Sequence, residues 1–218
     1  SGRARHRQRV DRGTGSRQSM GGPAYPFFML RHGETDWNRE QRFQGRIDIP
    51  LNALGERQAA EYANILNSQN DDWSGWRFIS SPLGRARRTM EIMRQALRLD
   101  PMDYEVEEAW IEVTFGAWEK RSLAELRNDE PELIAERDAN KWSFVPPDGE
   151  SYDQACARVR YALDLLTGPS VIVTHGGMIR GTRRILENLD TQIAADTKIP
   201  QDDVYAWRDG KGGWVSEH

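Results

Sequence analysis

Phe27-Phe28-Met29-Leu30-Arg31-His32-Gly33-Glu34-Thr35 and, far along the chain, Val171-Ile172-Val173-Thr174-His175-Gly176-Gly177 share one grammar. Each is a continuous apolar run followed by a polar turn that carries a histidine and a glycine. Apolar runs of this kind read as strands buried on both faces. A helical pattern follows each turn: Gly55 to Leu66, with Ala59, Tyr62, Ala63 and Leu66 on one face, and Met178 to Leu189. Phe78-Ile79 repeats the scheme, running into Ser80-Ser81-Pro82 and a helix with Met90, Met93 and Leu97 at helical spacing. Tyr104 to Val106 is a weaker copy. Ser151 to Leu166 is a further amphipathic helix, with Ala155, Val159, Ala162 and Leu166 inward. Val204 to Trp207 and Trp214-Val215 read as a hairpin turning at Asp209-Gly210. Strands alternating with helices predict an α/β protein: a three-layer α/β/α sandwich with a mostly parallel central sheet.

Composition narrows the class. In 218 residues, 38% hydrophobic and 29% charged residues describe a folded chain, not a disordered one. Its longest apolar stretch is a handful of residues, too short for a membrane helix. The single cysteine, Cys156, excludes a disulfide framework and a thiolate metal site, and suits a reducing cytoplasm. Charge is uneven: residues 1–24 hold six arginines against Asp11, a net of +5, leaving 24 basic and 33 acidic residues, a net of −9. So acidic a body is a poor nucleic-acid platform, and no membrane partner is expected. The leader of residues 1–24 is too poor in apolar side chains to order itself and is expected to be disordered. An extended or vector-derived start, with Met20 as an alternative initiator, is preferred to a functional basic arm. Residues 25–218 then form one domain, with 120–146 an insertion over the active-site end.

In open parallel sheets, ligands sit at the carboxyl ends of the strands, where helix N-termini converge. His32 and His175, the only histidines away from the chain ends, both fall there, with Arg31, Ser81 and Arg85. Guanidinium groups bind phosphate oxygens through paired, charge-assisted hydrogen bonds. A neutral imidazole can attack phosphorus and carry the phosphoryl group. No G-x-x-x-x-G-K-[ST] or G-x-G-x-x-G occurs, so nucleotide P-loops and dinucleotide folds lose their main support.

Longer blocks carry a specific resemblance. Leu30-Arg31-His32-Gly33-Glu34-Thr35 with Trp37-Asn38, then Phe43-Gln44-Gly45, Asp48, Pro50-Leu51 and Leu54-Gly55, are followed by Ser80-Ser81-Pro82-Leu83-Gly84-Arg85-Ala86. Glu112 lies four residues before Gly116 and is followed by Trp118-Glu119; Pro147-Asp148-Gly149-Glu150-Ser151 and Val173-Thr174-His175-Gly176-Gly177 complete the set. In this order the blocks resemble the histidine phosphatase superfamily, in its phosphoglycerate-mutase-like branch, over roughly residues 26 to 189. The resemblance implies a phosphoglycerate-mutase-like fold and a hydrolase of phosphoric monoesters of the histidine acid-phosphatase type. It assigns His32 as nucleophile, Arg31, Arg85 and His175 as the cage for the transferring oxygens, and Glu112 as the proton donor and acceptor. Thr35, Asn38, Gln44, Gly45 and the Gly176 amide match positions that contact phosphate or substrate. No metal and no cofactor is implied, because the arginines supply the positive charge.

Trp110, Trp118 and Trp142 either line a leaving-group pocket or pack in the core, and Cys156 reads as a buried small hydrophobe. Lys120-Arg121 after Glu119, where relatives commonly carry glycine, either favours an anionic leaving group or sits in solvent. The stretch 120–146 lacks the tyrosine-containing block and long basic insertion that a mutase uses to hold a second phosphate. The pattern therefore favours a phosphatase acting on a small phosphomonoester over a phosphoglycerate mutase. A non-catalytic phospho-ligand or protein-interaction module on the same fold is the further alternative, and a nucleic-acid binder would rest on the arginine leader alone. Oligomeric state is left open, with a homodimer among the options.

Overall fold

A computed structural model describes residues 22–217. In chain order, β1 (Phe27–Arg31), α1 (Asp36–Arg39), α2 (Ala53–Gln69), β2 (Arg77–Ser80) and α3 (Gly84–Ala96) lead to β3 (Glu105–Val106). Two 3-10 turns at Glu108–Trp110 and Gly116–Trp118 precede α4 (Leu123–Asp129) and α5 (Pro131–Ala139). Then come α6 (Tyr152–Asp164), β4 (Ser170–Thr174), α7 (Gly176–Leu186), α8 (Thr191–Asp196), β5 (Val204–Arg208) and β6 (Lys211–Val215).

The strands form one sheet in the order β3-β2-β4-β1-β5-β6. The first four run parallel, and β5 and β6 are antiparallel additions beyond β1. Alternating side chains divide the core. Phe27, Met29 and Ile172 pack with α6 and α7, whereas Phe28, Leu30, Val171 and Val173 pack with α2 and α3. This is the expected three-layer α/β/α sandwich. The hairpin turns where expected, with Asp209 at φ 51° and Gly210 at φ 75°, the pair of left-handed residues a tight two-residue turn requires.

Several boundaries differ from the sequence reading for local reasons. The last long helix begins at Gly176, not Met178, because extended His175 is its N-cap. It ends at Leu186, not Leu189, and Asn188 just beyond turns left-handed at φ 51°. Only Glu105 and Val106 of the third run pair, both exposed at the sheet edge. The insertion of residues 120–146 holds two helices, α4 and α5, split at Pro131. They close over their own cluster of Trp118, Leu126, Ile134 and Phe144. The leader expected to be disordered lies outside the described residues up to position 21. The Pro23 carbonyl accepts from Trp207 Nε1 at 3.2 Å, so packing onto the sheet begins before residue 25. Among the described residues, no helix is long and apolar enough to cross a membrane.

Candidate active site

Strands β1 and β4 are parallel neighbours, with Arg31 opposite Thr174. Adjacent strands lie less than 5 Å apart, so the next residue on each, His32 and His175, emerges at one level. Their ring centroids are 5.1 Å apart and both side chains are buried. The chain leaves β1 toward α2 on one face and leaves β4 into α7 on the other. That divergence opens the crevice in which α/β sheets bind ligands.

His32 is fixed in one tautomer. Its Nδ1 lies 2.8 Å from the Gly33 carbonyl, which can only accept, so Nδ1 carries the proton. The lone pair of Nε2 is left facing Arg85, whose Nε donates to it at 3.2 Å. Burial holds the imidazole well below its usual pKa, and the Arg85 and Arg31 charges push the same way against the Gly33 hydrogen bond. At neutral pH it is an uncharged imidazole. The turn requires Gly33 itself, because a Cβ there would overlap the Gly55 carbonyl at the start of α2. His175 is likewise held well below its usual pKa, by burial and then by Arg85, His32 and Arg31. Its Nε2 meets Ser81 Oγ at 2.6 Å, while buried Nδ1 has no protein partner among the described residues.

Two guanidinium groups, those of Arg85 and Arg31, stand against this pair, with a third beside Arg31. Arg85, in the first turn of α3, is 1% exposed. Backbone carbonyls hold it: Gly45 accepts from Nη2 at 2.7 Å and Ile47 from Nη1 at 2.8 Å. Asp48 accepts from the Gly84 and Arg85 amides and supplies the cap that Leu83 lacks. Arg31 donates from Nη1 to the Ile199 carbonyl, while its Nε is buried without a partner. Burial and neighbouring Arg180 lower its pKa to about 10, so it remains a cation. Arg180 is the third. A Cβ at Gly176 would stand 3.2 Å from Arg180 Nη1 and 3.7 Å from Arg31 Nε, which locates both cations at the first residue of α7. The sequence reading missed Arg180, although its spacing of four from Gly176 puts both on one helix face.

Glu112 lies across from these cations. Its carboxylate accepts from the Val113 amide at 2.9 Å and from the Gly177 amide, at the start of α7, at 3.1 Å. Thr35, Asn38 and Gln44 are joined to one another. Thr35 Oγ1 donates to Gln44 Oε1 at 2.8 Å, and Thr35 and Asn38 form the capping box of α1. Gln201 was also missed. Its Nε2 donates both to the His32 carbonyl and to Asn38 Oδ1, tying this shelf to the histidine loop. The structure thus brings together His32, His175, Arg31, Arg85, Glu112 and the start of α7 at Gly176, with Gly45 alongside through its carbonyl.

Val113, next to Glu112, borders a narrow cleft that is also lined by Trp118, Phe144, Arg137, Lys141 and Glu150. Of the three tryptophans considered for a pocket, only Trp118 borders this cleft, and it is also core. Trp110 lies in the core under the sheet, and Trp142 packs with Cys156, Ala194 and Ala195. Cys156 is buried, and burial raises its thiol to about 11. The cation Arg121 turns from the cleft to pair with Asp129 and Glu130. Among the described residues, no three His, Cys, Asp or Glu side chains converge to hold a metal ion.

The profile of the histidine phosphatase superfamily, branch 1, matches residues 27–218. The "Probable phosphoglycerate mutase GpmB" of Escherichia coli is 36% identical over 154 residues, 68% of each chain. A mycobacterial glucosyl-3-phosphoglycerate phosphatase superposes with a TM-score of 0.73 at 25% identity, covering 88% of this chain and 98% of that one. The α-ribazole phosphatase of Shigella flexneri, 23% identical, shares the fold with a TM-score of 0.72 over 88% of this chain and 96% of its own.

Proposed function

Because the chain belongs to the histidine phosphatase superfamily, branch 1, we propose that it is a phosphomonoesterase acting on a small phosphorylated metabolite through a phosphohistidine on His32. The observation that carries this reading is the state of His32: buried, neutral, proton fixed on Nδ1, and Nε2 facing a guanidinium. In the first step Nε2 attacks phosphorus, and the bond from phosphorus to the ester oxygen breaks. The departing oxygen takes the proton of the Glu112 carboxyl. In the second, Glu112 takes a proton from water as the water oxygen attacks phosphorus. The P–N bond breaks, releasing phosphate and returning His32 to its neutral form. Arg31, Arg85, His175 and the start of α7 surround the phosphoryl oxygens and stabilise the charge that develops there. Their positive charge serves the role a metal ion plays in other phosphatases.

The residues beyond the phosphoryl site favour a leaving group that is itself anionic. Arg180 has no acidic partner among the described residues, and Arg137 and Lys141 border the cleft at Val113. Lys141 is half-buried; its pKa is lowered first by burial, then by Arg180 and Arg137, against its pairing with Asp196. A phosphate dianion matches Arg31 and Arg85, and a carboxylate or second phosphate matches Arg180, whereas Arg137 and Lys141 already pair with Asp138 and Asp196. This charge stands on α7, in α5 and just past its end, not at Lys120-Arg121.

A mutase is the second reading, favoured by the 36% identity to the Escherichia coli protein of that name. One experiment separates the two. Inorganic phosphate release is measured in EDTA from a panel of phosphomonoesters that includes 3-phosphoglycerate, with the 2-isomer assayed alongside. The phosphatase reading expects release by the wild type and a fall of at least about 10⁴-fold in His32→Ala. Isomerisation without release supports the mutase, and silence on both counts supports a binding module.

A further inference from the structure

We infer that Glu150 is a positioning residue for Glu112, acting through a two-arginine clamp on the Glu112 main chain; this rests on the proton-donor role proposed for Glu112. Glu150 takes no part in the chemistry described above. Its carboxylate bridges two guanidinium groups, with Oε2 3.0 Å from Arg46 Nη2 and Oε1 2.6 Å from Arg158 Nη2. Both guanidiniums reach the main chain at Glu112: Arg46 Nε donates to Glu112 O at 3.2 Å, and Arg158 Nη2 is shared between Ile111 O at 3.4 Å and Glu112 O at 3.5 Å. They come from opposite sides, Arg46 from the loop after α1 and Arg158 from the middle of α6. The Glu150 amide donates to the Thr114 carbonyl at 3.0 Å, which sets the carboxylate beside the Glu112 segment.

The charges explain why an acid is needed there. Two guanidiniums at the same stretch of main chain repel each other unless an anion lies between them. Glu150 is the only acidic partner of Arg158 among the described residues, and two further Arg158 nitrogens, Nε and Nη1, are buried without partners. Removing the Glu150 charge therefore frees Arg158 to move, and the carbonyls it holds move with it. The Glu112 carboxylate hangs on that same residue, oriented among the described residues by the Val113 and Gly177 amides alone. Proton transfer to a leaving oxygen needs a heavy-atom approach of about 3 Å, so a shift of half an ångström or so at the main chain affects it directly.

Dependence on the leaving group distinguishes positioning of the acid from a general structural role. The nitrophenolate of p-nitrophenyl phosphate departs without a proton, whereas the more basic phenolate of phenyl phosphate gains from one. The two substrates are nearly the same shape. kcat/KM is measured for both, since it reports phosphoryl transfer to His32 whatever limits turnover. Glu112→Gln is expected to lose about 100-fold on phenyl phosphate and far less on the nitrophenyl ester. Glu150→Gln should lose about 10-fold on phenyl phosphate and under about 3-fold on the nitrophenyl ester, whose KM stays near wild type. In the double variant, the Glu150 change should add no more than about 2-fold to the Glu112→Gln loss.

Equal losses of Glu150→Gln on the two esters overturn the inference, as does a full additional loss in the double variant. If Glu112→Gln itself loses equally on both esters, the proton-donor reading fails and the Glu150 role fails with it, a pattern distinct from failure of Glu150 alone. Should Glu150→Gln not fold, Arg46→Gln decides, because it opens half the clamp at an exposed side chain. A loss of about 3-fold confined to phenyl phosphate upholds the clamp, and no such selectivity overturns it.

Discussion

Helix α3 carries a buried arginine at each end, and the two could hardly differ more in what surrounds them. Arg85 and Arg94 are 1% and 4% exposed, and burial lowers the pKa of both. Arg94, in the last turn, donates to the Asp100 carbonyl at 2.7 Å, lies over the Phe78 ring at 4.3 Å and has Asp103 at 3.6 Å. A carbonyl, a ring and an acid answer it, and it borders the amino-terminal side of the sheet. Arg85 is also braced by carbonyls, but its Nε is aimed at a neutral imidazole, and its nearest carboxylate, Asp48, lies 3.8 Å away and half-exposed. A buried cation is therefore no mark of a site. What distinguishes the carboxyl side is convergence: two neutral histidines, a second and third guanidinium, and a helix start meet at one place.

The sharpest way to break this contrast is to truncate both arginines. Arg85→Ala should lower kcat/KM for phosphate release by about 10²–10⁴-fold, as removal of a charge-stabilising donor does elsewhere. Arg94→Ala should leave kcat/KM within about 2-fold while costing about 2–3 kcal/mol of stability, from the lost ring contact and hydrogen bond. For a chain of this length that lowers Tm by about 5–10 °C. Loss of activity in Arg94→Ala at a temperature where it remains folded would end the distinction.

Gly177→Ala sharpens it from the other side of the crevice. In the first turn of α7, alanine is favoured over glycine by about 1 kcal/mol. Yet a Cβ there would overlap Glu112 Oε1 and crowd Val113 Cγ2. The carboxylate must leave the amide that orients it. The expected outcome is a loss of about 10–100-fold in kcat/KM on esters with basic leaving groups, with Tm changed by less than in Arg94→Ala. Unchanged kinetics would mean that the Glu112 contact with α7 is dispensable.

These positions also mark how far the sequence could be read. The strands β1 and β4 were legible because burial on both faces leaves an uninterrupted apolar run. The histidines and Arg85 followed from their places at strand ends and after Ser-Ser-Pro. Glu112 was placed by its offset from Gly116, and the structure sets it at the start of α7. Arg180 offered only its spacing of four from Gly176, and Gln201 was not legible, since nothing local separates it from other polar residues and it reaches His32 from the far end of the chain. For Arg121 the sequence left two readings open, a leaving-group contact or solvent. It is close to Glu112 in sequence, but the turn after Trp118 sends it to Asp129 and Glu130. The clamp at Glu150 depends on α6 and two loops meeting, a juxtaposition that no spacing encodes.

The smallest effect concerns protons. In the folded chain, burial first, then Arg85, and then His32 or Arg31, keep both site histidines well below 6.5. In the unfolded chain they titrate near 6.5. Above that pH both states are neutral and the pair contributes nothing to the pH dependence. As pH falls from about 6.5 toward 5, the unfolded chain takes up protons that the folded chain refuses. Stability therefore declines by up to about 1.4 kcal/mol per pH unit for each histidine. His175→Gln, which cannot titrate, should roughly halve the histidine part of that slope in urea denaturation at pH 6.5, 6.0, 5.5 and 5.0. Arg94→Ala, remote from both rings, should lower the whole curve and leave its slope unchanged. The same linkage keeps the His32 lone pair free across this window, so activity lost on acidification should follow unfolding, not protonation of His32. A slope that survives His175→Gln intact would mean that His175 is charged in the folded chain, and the site would then hold one cation more than the geometry assigns it.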